Sequence, residues 1–214
     1  QAADLVISKD NGDIERKFFK DDFSVDSSSQ YTGDVADFTW DTANSKLIIP
    51  TTANKRFYQT RHSSCNRIEI VQTTIQTIPE SGNIFIGSLI FAVDESTGQY
   101  YNVYQYRTPV NTWFGIARNG TIMIAGPKSN TTDPIATFRV TISGNTVTVL
   151  NVNNSISIST TIAGLSSMRQ VVGVFTQNTA TNVAGEVYSI TALPSESYAD
   201  DFSTDTTERY QPVL

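Results

Sequence analysis

Cysteine and histidine are almost missing from this 214-residue chain, which has one of each, Cys65 and His62. One cysteine excludes any disulfide within the chain, and one Cys with one His cannot assemble a zinc cluster of nitrogen and sulfur ligands. Stability therefore has to come from a core, and 39% hydrophobic residues over this length are enough to form one. Cations are scarce as well. Fifteen Lys and Arg stand against 21 Asp and Glu, the formal net charge is −6, and basic residues never run beyond two in succession. Contact with a phosphate backbone needs clustered cations, so nucleic acid and anionic membranes are poor partners. No apolar run approaches the roughly 18 residues that a membrane-inserted helix requires. The segment that starts at Gln1 does not read as a signal peptide, which leaves a native chain and an excised fragment both open. The cysteine count does not settle the compartment.

Helical periodicity is also lacking: no window keeps a 3.6-residue repeat beyond a turn or two. Segments rich in Val, Ile, Thr, Tyr and Phe are instead separated by Gly, Asn, Asp and Pro about every ten residues, which predicts strands throughout. Residues 83–93 are apolar on both faces and predict a central, doubly covered strand. Arg118-Asn119-Gly120-Thr121 predicts a tight hairpin with positive φ at both central positions. Residues 137–142 and 146–150 alternate strictly about Ser143-Gly144-Asn145, and residues 163–168 predict a short helical turn. More than a dozen strands without helices to cover them must form two packed sheets or a barrel.

One stretch occurs twice. Asp21-Asp22-Phe23-Ser24-Val25-Asp26, closing with Tyr31, returns 179 residues later as Asp200-Asp201-Phe202-Ser203-Thr204-Asp205, closing with Tyr210. That spacing is the size of one domain. The expected organisation is a linker or the end of a preceding repeat at 1–16, one β-sandwich at 17–194, and a linker with the first strand of a following repeat at 195–214. The last segment is either truncated or exchanged with a neighbouring subunit through the 197–214 strand.

The order of motifs resembles the concanavalin A-like, laminin-G-like jelly-roll domains. Asp21-Asp22-Phe23-Ser24 resembles the opening strand. Phe38-Thr39-Trp40-Asp41 through Asn44-Ser45-Lys46-Leu47 resembles the Trp-turn-Leu hairpin that follows. Phe138 to Val149 resembles the late hairpin, and Val172-Gly173-Val174-Phe175 with Val187 to Ile190 resembles the closing pair of strands. The resemblance implies an all-β, two-sheet antiparallel sandwich. It leaves function open, because lectins, glycan-binding modules, hydrolases, lyases and spacers share this fold.

Alternation puts Arg67 and Glu69 of Arg67-Ile68-Glu69 on one strand face, where a guanidinium and a carboxylate can line the concave sheet together. Alginate-lyase-like members of the superfamily carry such an Arg-x-Glu strand. The resemblance then asks for Gln-x-His on the neighbouring strand, read here as Ile86-Gly87-Ser88-Leu89-Ile90, which lacks both. The two-carboxylate cluster of glucanase-type members is missing too. His62 has no third partner for a nucleophilic arrangement, and Cys65 reads as a small apolar residue. No catalytic residue is expected. Asp21, Asp22 and Asp26, with Glu186 or Asp200, leave room for a structural calcium, and no other cofactor is indicated.

The strongest binding feature is Tyr100-Tyr101-Asn102-Val103-Tyr104-Gln105-Tyr106, followed by Trp113. Alternation puts Tyr100, Asn102, Tyr104 and Tyr106 on one face, and Tyr101, Gln105 and Arg107 on the other. Flat rings beside amide and guanidinium donors suit the apolar face and hydroxyls of a sugar. The expected glycan-binding set is Arg67, Glu69, Tyr104, Tyr106 and Trp113. The sequons at Asn119, Asn130 and Asn153 are frequent by chance in so Asn- and Thr-rich a chain. The expected function is non-catalytic recognition of a glycan or surface protein by a β-sandwich module of an extracellular, cell-surface or virion protein. A purely structural assembly module (a capsid decoration or fibre spacer) is one alternative, and a polysaccharide lyase or hydrolase is the other.

Overall fold

The computed structural model describes residues 6–7, 16–17, 19–50, 54–59, 67–76, 84–129, 135–176 and 185–194. Two short strands come first, β1 (Val6–Ile7) and β2 (Arg16–Lys17), which pair with each other. Next come β3 (Phe19–Asp21), β4 (Tyr31–Gly33), β5 (Thr39–Asp41), β6 (Lys46–Ile49) and β7 (Arg56–Gln59). The long strands follow: β8 (Arg67–Gln76), β9 (Ile84–Asp94), β10 (Gln99–Arg107) and β11 (Thr112–Arg118). The chain then runs through β12 (Thr121–Ala125), β13 (Ile135–Ser143), β14 (Thr146–Asn151) and β15 (Ile156–Thr161). It closes with β16 (Arg169–Phe175) and β17 (Gly185–Pro194). Short 3-10 turns are the only helices among the described residues, one of them at Leu165–Ser167 within the predicted helical turn. No helix among these residues is long and apolar enough to cross a membrane.

From β3 onward the strands form two antiparallel sheets. The seven-stranded sheet runs β12-β11-β10-β9-β16-β7-β4. The eight-stranded sheet runs β15-β14-β13-β8-β17-β6-β5, with β3 attached to β17. The core lies between them. Leu89, Phe91, Tyr101, Val103, Phe114 and Ile116 of the first sheet join Leu47, Phe138, Val140, Ile142, Val149 and Ile190 of the second in one buried cluster. Alternation along each strand produces this arrangement, since every second residue faces the opposing sheet.

The Asn119-Gly120 turn has φ of 49° and 77°, the primed geometry its sequence predicts. The Asn119 side chain also accepts a hydrogen bond from the Tyr100 amide at 2.9 Å, which ties the hairpin to β10. Trp40 and Leu47 are register partners in the predicted Trp-turn-Leu hairpin, and β13 pairs with β14 as the predicted late hairpin. β9 is central and covered on both sides, with Leu89 and Phe91 in the core and Ile90 and Val93 buried on the opposite face. One sequence reading needs correction. β8 and β9 are not neighbours in one sheet, because β8 lies between β13 and β17 while β9 lies between β10 and β16. The motifs that resemble the closing pair of strands fall on β16 and β17, between which the chain crosses from one sheet to the other.

The opening turn is built around Asp21. Its carboxylate is buried and accepts from the Phe23 amide at 2.9 Å, from the Tyr31 hydroxyl at 2.7 Å and from the Ser27 hydroxyl. Ser27 in turn accepts from the Trp40 indole N–H at 3.0 Å. The Asp21 bond holds Phe23 at φ 56°, a left-handed conformation that a bulky residue rarely adopts, and that geometry drives its ring into the core.

Candidate functional site

The two sheets differ on the faces that point away from the core. On the eight-stranded sheet, β13 to β15 present Arg139, Thr141, Thr146, Thr148, Ser157 and Ser159, all exposed or half-buried, with Thr148 and Ser159 hydrogen-bonded at 3.0 Å. This is the polar outside expected of a sandwich. On the seven-stranded sheet the outward positions carry Tyr58, Tyr100, Tyr104, Tyr106, Trp113 and Phe175. Tyr100, Tyr104 and Phe175 are buried there, while Tyr58, Tyr106 and Trp113 are half-buried and keep part of their ring surface open.

The rings fall into two groups. At one end Tyr106 and Trp113, register partners on β10 and β11, lie 4.0 Å apart between ring centroids with their planes 34° apart. Both are half-buried, and the Lys128 ammonium stands 4.9 Å from the Trp113 ring. Next to them Tyr104 is fully buried against Ala117. Its ring lies across Gly115, its partner on β11: a Cβ there would come within 2.5 Å of both Tyr104 Cε1 and the hydroxyl oxygen.

At the other end Tyr100 packs on Phe175 at 5.0 Å, and the Arg56 guanidinium lies 4.6 Å from the Tyr100 ring. Arg56, Tyr58, Val93, Glu95, Gly98 and Tyr100 line a cleft of about 260 Å³. Glu95 is held by Arg169 at 2.6 Å. Burial pushes the Tyr100 and Tyr104 phenols above their ordinary pKa, with Arg56 opposing the shift at Tyr100, so both remain neutral donors. Asn102 lies between the two groups. It is fully buried, its amide nitrogen donates to the Val103 carbonyl at 3.1 Å, and its Oδ1 has no partner among the described residues.

The predicted residues therefore divide between the sheets. Tyr104, Tyr106 and Trp113 share the outer face of the seven-stranded sheet, with Tyr100 and Asn102 beside them, as alternation requires. Tyr101 faces the core, with Gln105 and Arg107 buried further along the strand. Arg67 and Glu69 do not line that sheet. They belong to β8 of the eight-stranded sheet, in register with Ser143 and Thr141 of β13. Sequence reading missed Arg56, Tyr58 and Glu95. The alternation of Arg56-Phe57-Tyr58 is a usable signal, but only the fold brings this strand and the β9–β10 turn to one cleft.

The three aspartates of the opening motif do not converge. Asp21 serves the Tyr31 network, Asp22 accepts from the Ser24 amide and hydroxyl, and Asp26 accepts from the Ser28 amide. Glu186 lies elsewhere, bound to Lys46 at 2.6 Å and to the Tyr188 hydroxyl at 2.7 Å. Among the described residues no three His, Cys, Asp or Glu side chains come together to hold a metal. His62, Cys65 and Asp200 lie outside the described residues.

No protein-family model matches the chain, and no curated protein matches it. Solved structures do. The chain is similar to the CBM2 module of the evolved Dit of Lactobacillus casei BL23 phage J-1, at 10% identity over 86% of this chain and 100% of that one, with a TM-score of 0.60. It is similar to peanut lectin at 12% identity, over 84% of this chain and 97% of that one, TM-score 0.61. It is also similar to alginate lyase A1-II′ of polysaccharide lyase family 7, at 14% identity over 73% and 82%, TM-score 0.50. Binders and an enzyme thus share this architecture, and at such identities the likeness is one of fold. The chain has the concanavalin A-like jelly-roll sandwich fold.

Proposed function

We propose that this domain is a non-catalytic glycan-binding module of a larger extracellular, cell-surface or virion protein, and that it binds through the outer face of the seven-stranded sheet. One observation carries the reading: that face pairs aromatic rings with cations twice, Lys128 on Trp113 and Arg56 on Tyr100. Rings supply the flat apolar surface on which a sugar stacks, and Lys, Arg, Glu95 and the Tyr hydroxyls supply partners for its hydroxyls. The fold shared with a carbohydrate-binding module and a lectin is compatible with this use. The arrangement is poor for hydrolysis, which needs two carboxylates across the glycosidic bond. Glu95 lines the cleft but is tied to Arg169, and its neighbour Asp94 is engaged by Ser96.

A second reading, an assembly module with a protein partner, is favoured by β12. It is the edge strand of the same sheet and leaves Ile122 and Met123 exposed, at 51% and 43%.

A glycan array probed with the purified chain tests the proposal. Binding is expected, and Trp113→Ala or Tyr58→Ala should weaken it by about 2–10-fold each, the factor that corresponds to a stacked aromatic pair. Silence across the array, or binding indifferent to both substitutions, would overturn it. Loss of binding on Arg67→Ala with Trp113→Ala silent would move the site to the eight-stranded sheet.

A further inference from the structure

The residues that recur at 200–210 are those that hold the 21–31 turn together. Asp21 and Tyr31, joined by a hydrogen bond, return as Asp200 and Tyr210. Asp22 and Ser24, joined by two, return as Asp201 and Ser203. The core residue Phe23 returns as Phe202, and Asp26, which caps the Ser28 amide, returns as Asp205. Ser27, whose hydroxyl bridges Asp21 and Trp40, returns as Thr206 and so keeps its hydroxyl. Exposed Val25 and Ser29, which make none of these bonds, become Thr204 and Glu208. What recurs is the set of side chains needed to occupy one slot: the edge of β17 that pairs with β3, the core position of Phe23, and the polar hub beside Trp40.

We propose that residues 198–210 form a second plug for this slot and dock into it on another copy of the fold. A tight return onto the chain's own β17 would fall out of register with the slot. β17 stays paired with β8 as far as Pro194, opposite Ile68. Only five residues, 195–199, separate Pro194 from Asp200, so a tight hairpin continuing β17 would put Asp200 opposite Ala192. In the resident arrangement Asp21 pairs with Ile190, two residues further along. Two residues is about 6.6 Å of strand, enough to pull Phe202 and Tyr210 away from their pockets. A second copy carries no such constraint. The incoming segment adds an antiparallel strand to a sheet edge and competes there with the resident 19–31 segment. Association is therefore weak while the resident plug is intact and stronger when it is weakened.

Sedimentation of the full chain over a concentration series tests this. Tyr31→Phe, which removes only the resident hydroxyl, is expected to associate at lower concentration than the unmodified chain, and Phe23→Ala at lower concentration still. Adding Phe202→Ala to Tyr31→Phe should return it to monomer. If Phe23→Ala does not fold, the Tyr31→Phe pair decides alone. A Tyr31→Phe chain that stays monomeric at every concentration would overturn the proposal. So would association that survives Phe202→Ala. Neither result bears on glycan binding.

Discussion

Gly115→Ala should destabilise the domain and disturb its aromatic face, although the backbone there tolerates alanine. Gly115 is not among the glycines with positive φ, so on conformational entropy alone the substitution would stabilise by about 0.4–1 kcal/mol. Contacts reverse the sign. A Cβ at this position overlaps the Ile124 carbonyl oxygen on β12 and stands 2.5 Å from Tyr104 Cε1 and its hydroxyl. The first of these is backbone, so β12 has to move outward, and as an edge strand it can give only by loosening its pairing with β11. The second is a fully buried ring, which has to lift from the sheet. Overpacking of this kind costs about 1–3 kcal/mol, so a net loss of about 0–2.5 kcal/mol follows. In a domain of this size that lowers the thermal midpoint by up to about 10 °C. Calorimetry on Gly115→Ala, Tyr104→Leu and the double variant measures the effect and its cause. If Tyr104 is the obstacle, the cost of Gly115→Ala shrinks in the Tyr104→Leu background, because the atoms it strikes are gone. A Gly115→Ala protein more stable than the parent, or strictly additive variants, would refute the reasoning.

Two further predictions concern the opening turn and pH. Asp21→Ala strands the Tyr31 hydroxyl, the Ser27 hydroxyl and the Phe23 amide away from water, and at about 1–3 kcal/mol per buried donor it should cost on the order of 3–5 kcal/mol in urea unfolding. Tyr31→Phe removes one of these bonds and should cost about 1–2 kcal/mol. The urea midpoint should also fall at both ends of the pH range. Lys46, and then Tyr188, hold the Glu186 carboxyl below its usual range, so its contribution is present above the ordinary glutamate value of about 4.3 and is lost as pH falls through the lower folded value. Burial, and then Asp21, push the Tyr31 phenol well above its usual range, so that contribution is present below about pH 10 and is lost as pH rises. Lys46→Ala should make the acid limb shallower and Tyr31→Phe the alkaline limb. Limbs unchanged in both variants would show that these groups do not govern it.

The sequence by itself determined what is local. Alternation assigned Tyr100, Asn102, Tyr104 and Tyr106 to one face of β10 because side chains must point to opposite sides of a pleated strand. Asn119-Gly120 announced its turn because few residues accept positive φ. A single cysteine, the absence of clustered cations and the absence of a helical period narrowed the fold and partner classes before any fold was known. Tertiary structure decided what depends on which strand lies beside which. Alternation puts Arg67 and Glu69 on one face of their strand, yet β8 went to the sheet opposite the aromatic strand, because the chain crosses between layers from β8 to β9 and nothing local encodes the crossing. Arg56, Tyr58 and Glu95 come from two separate segments and meet only because β7 joins β16 and β9 in one sheet. The repeated Asp-Asp-Phe-Ser was visible as a pattern, but its meaning was not. Asp21 proves to be the buried acceptor that holds Phe23 in a strained conformation, and a hydrogen bond across ten residues to Tyr31 exists only once the chain has folded back on itself.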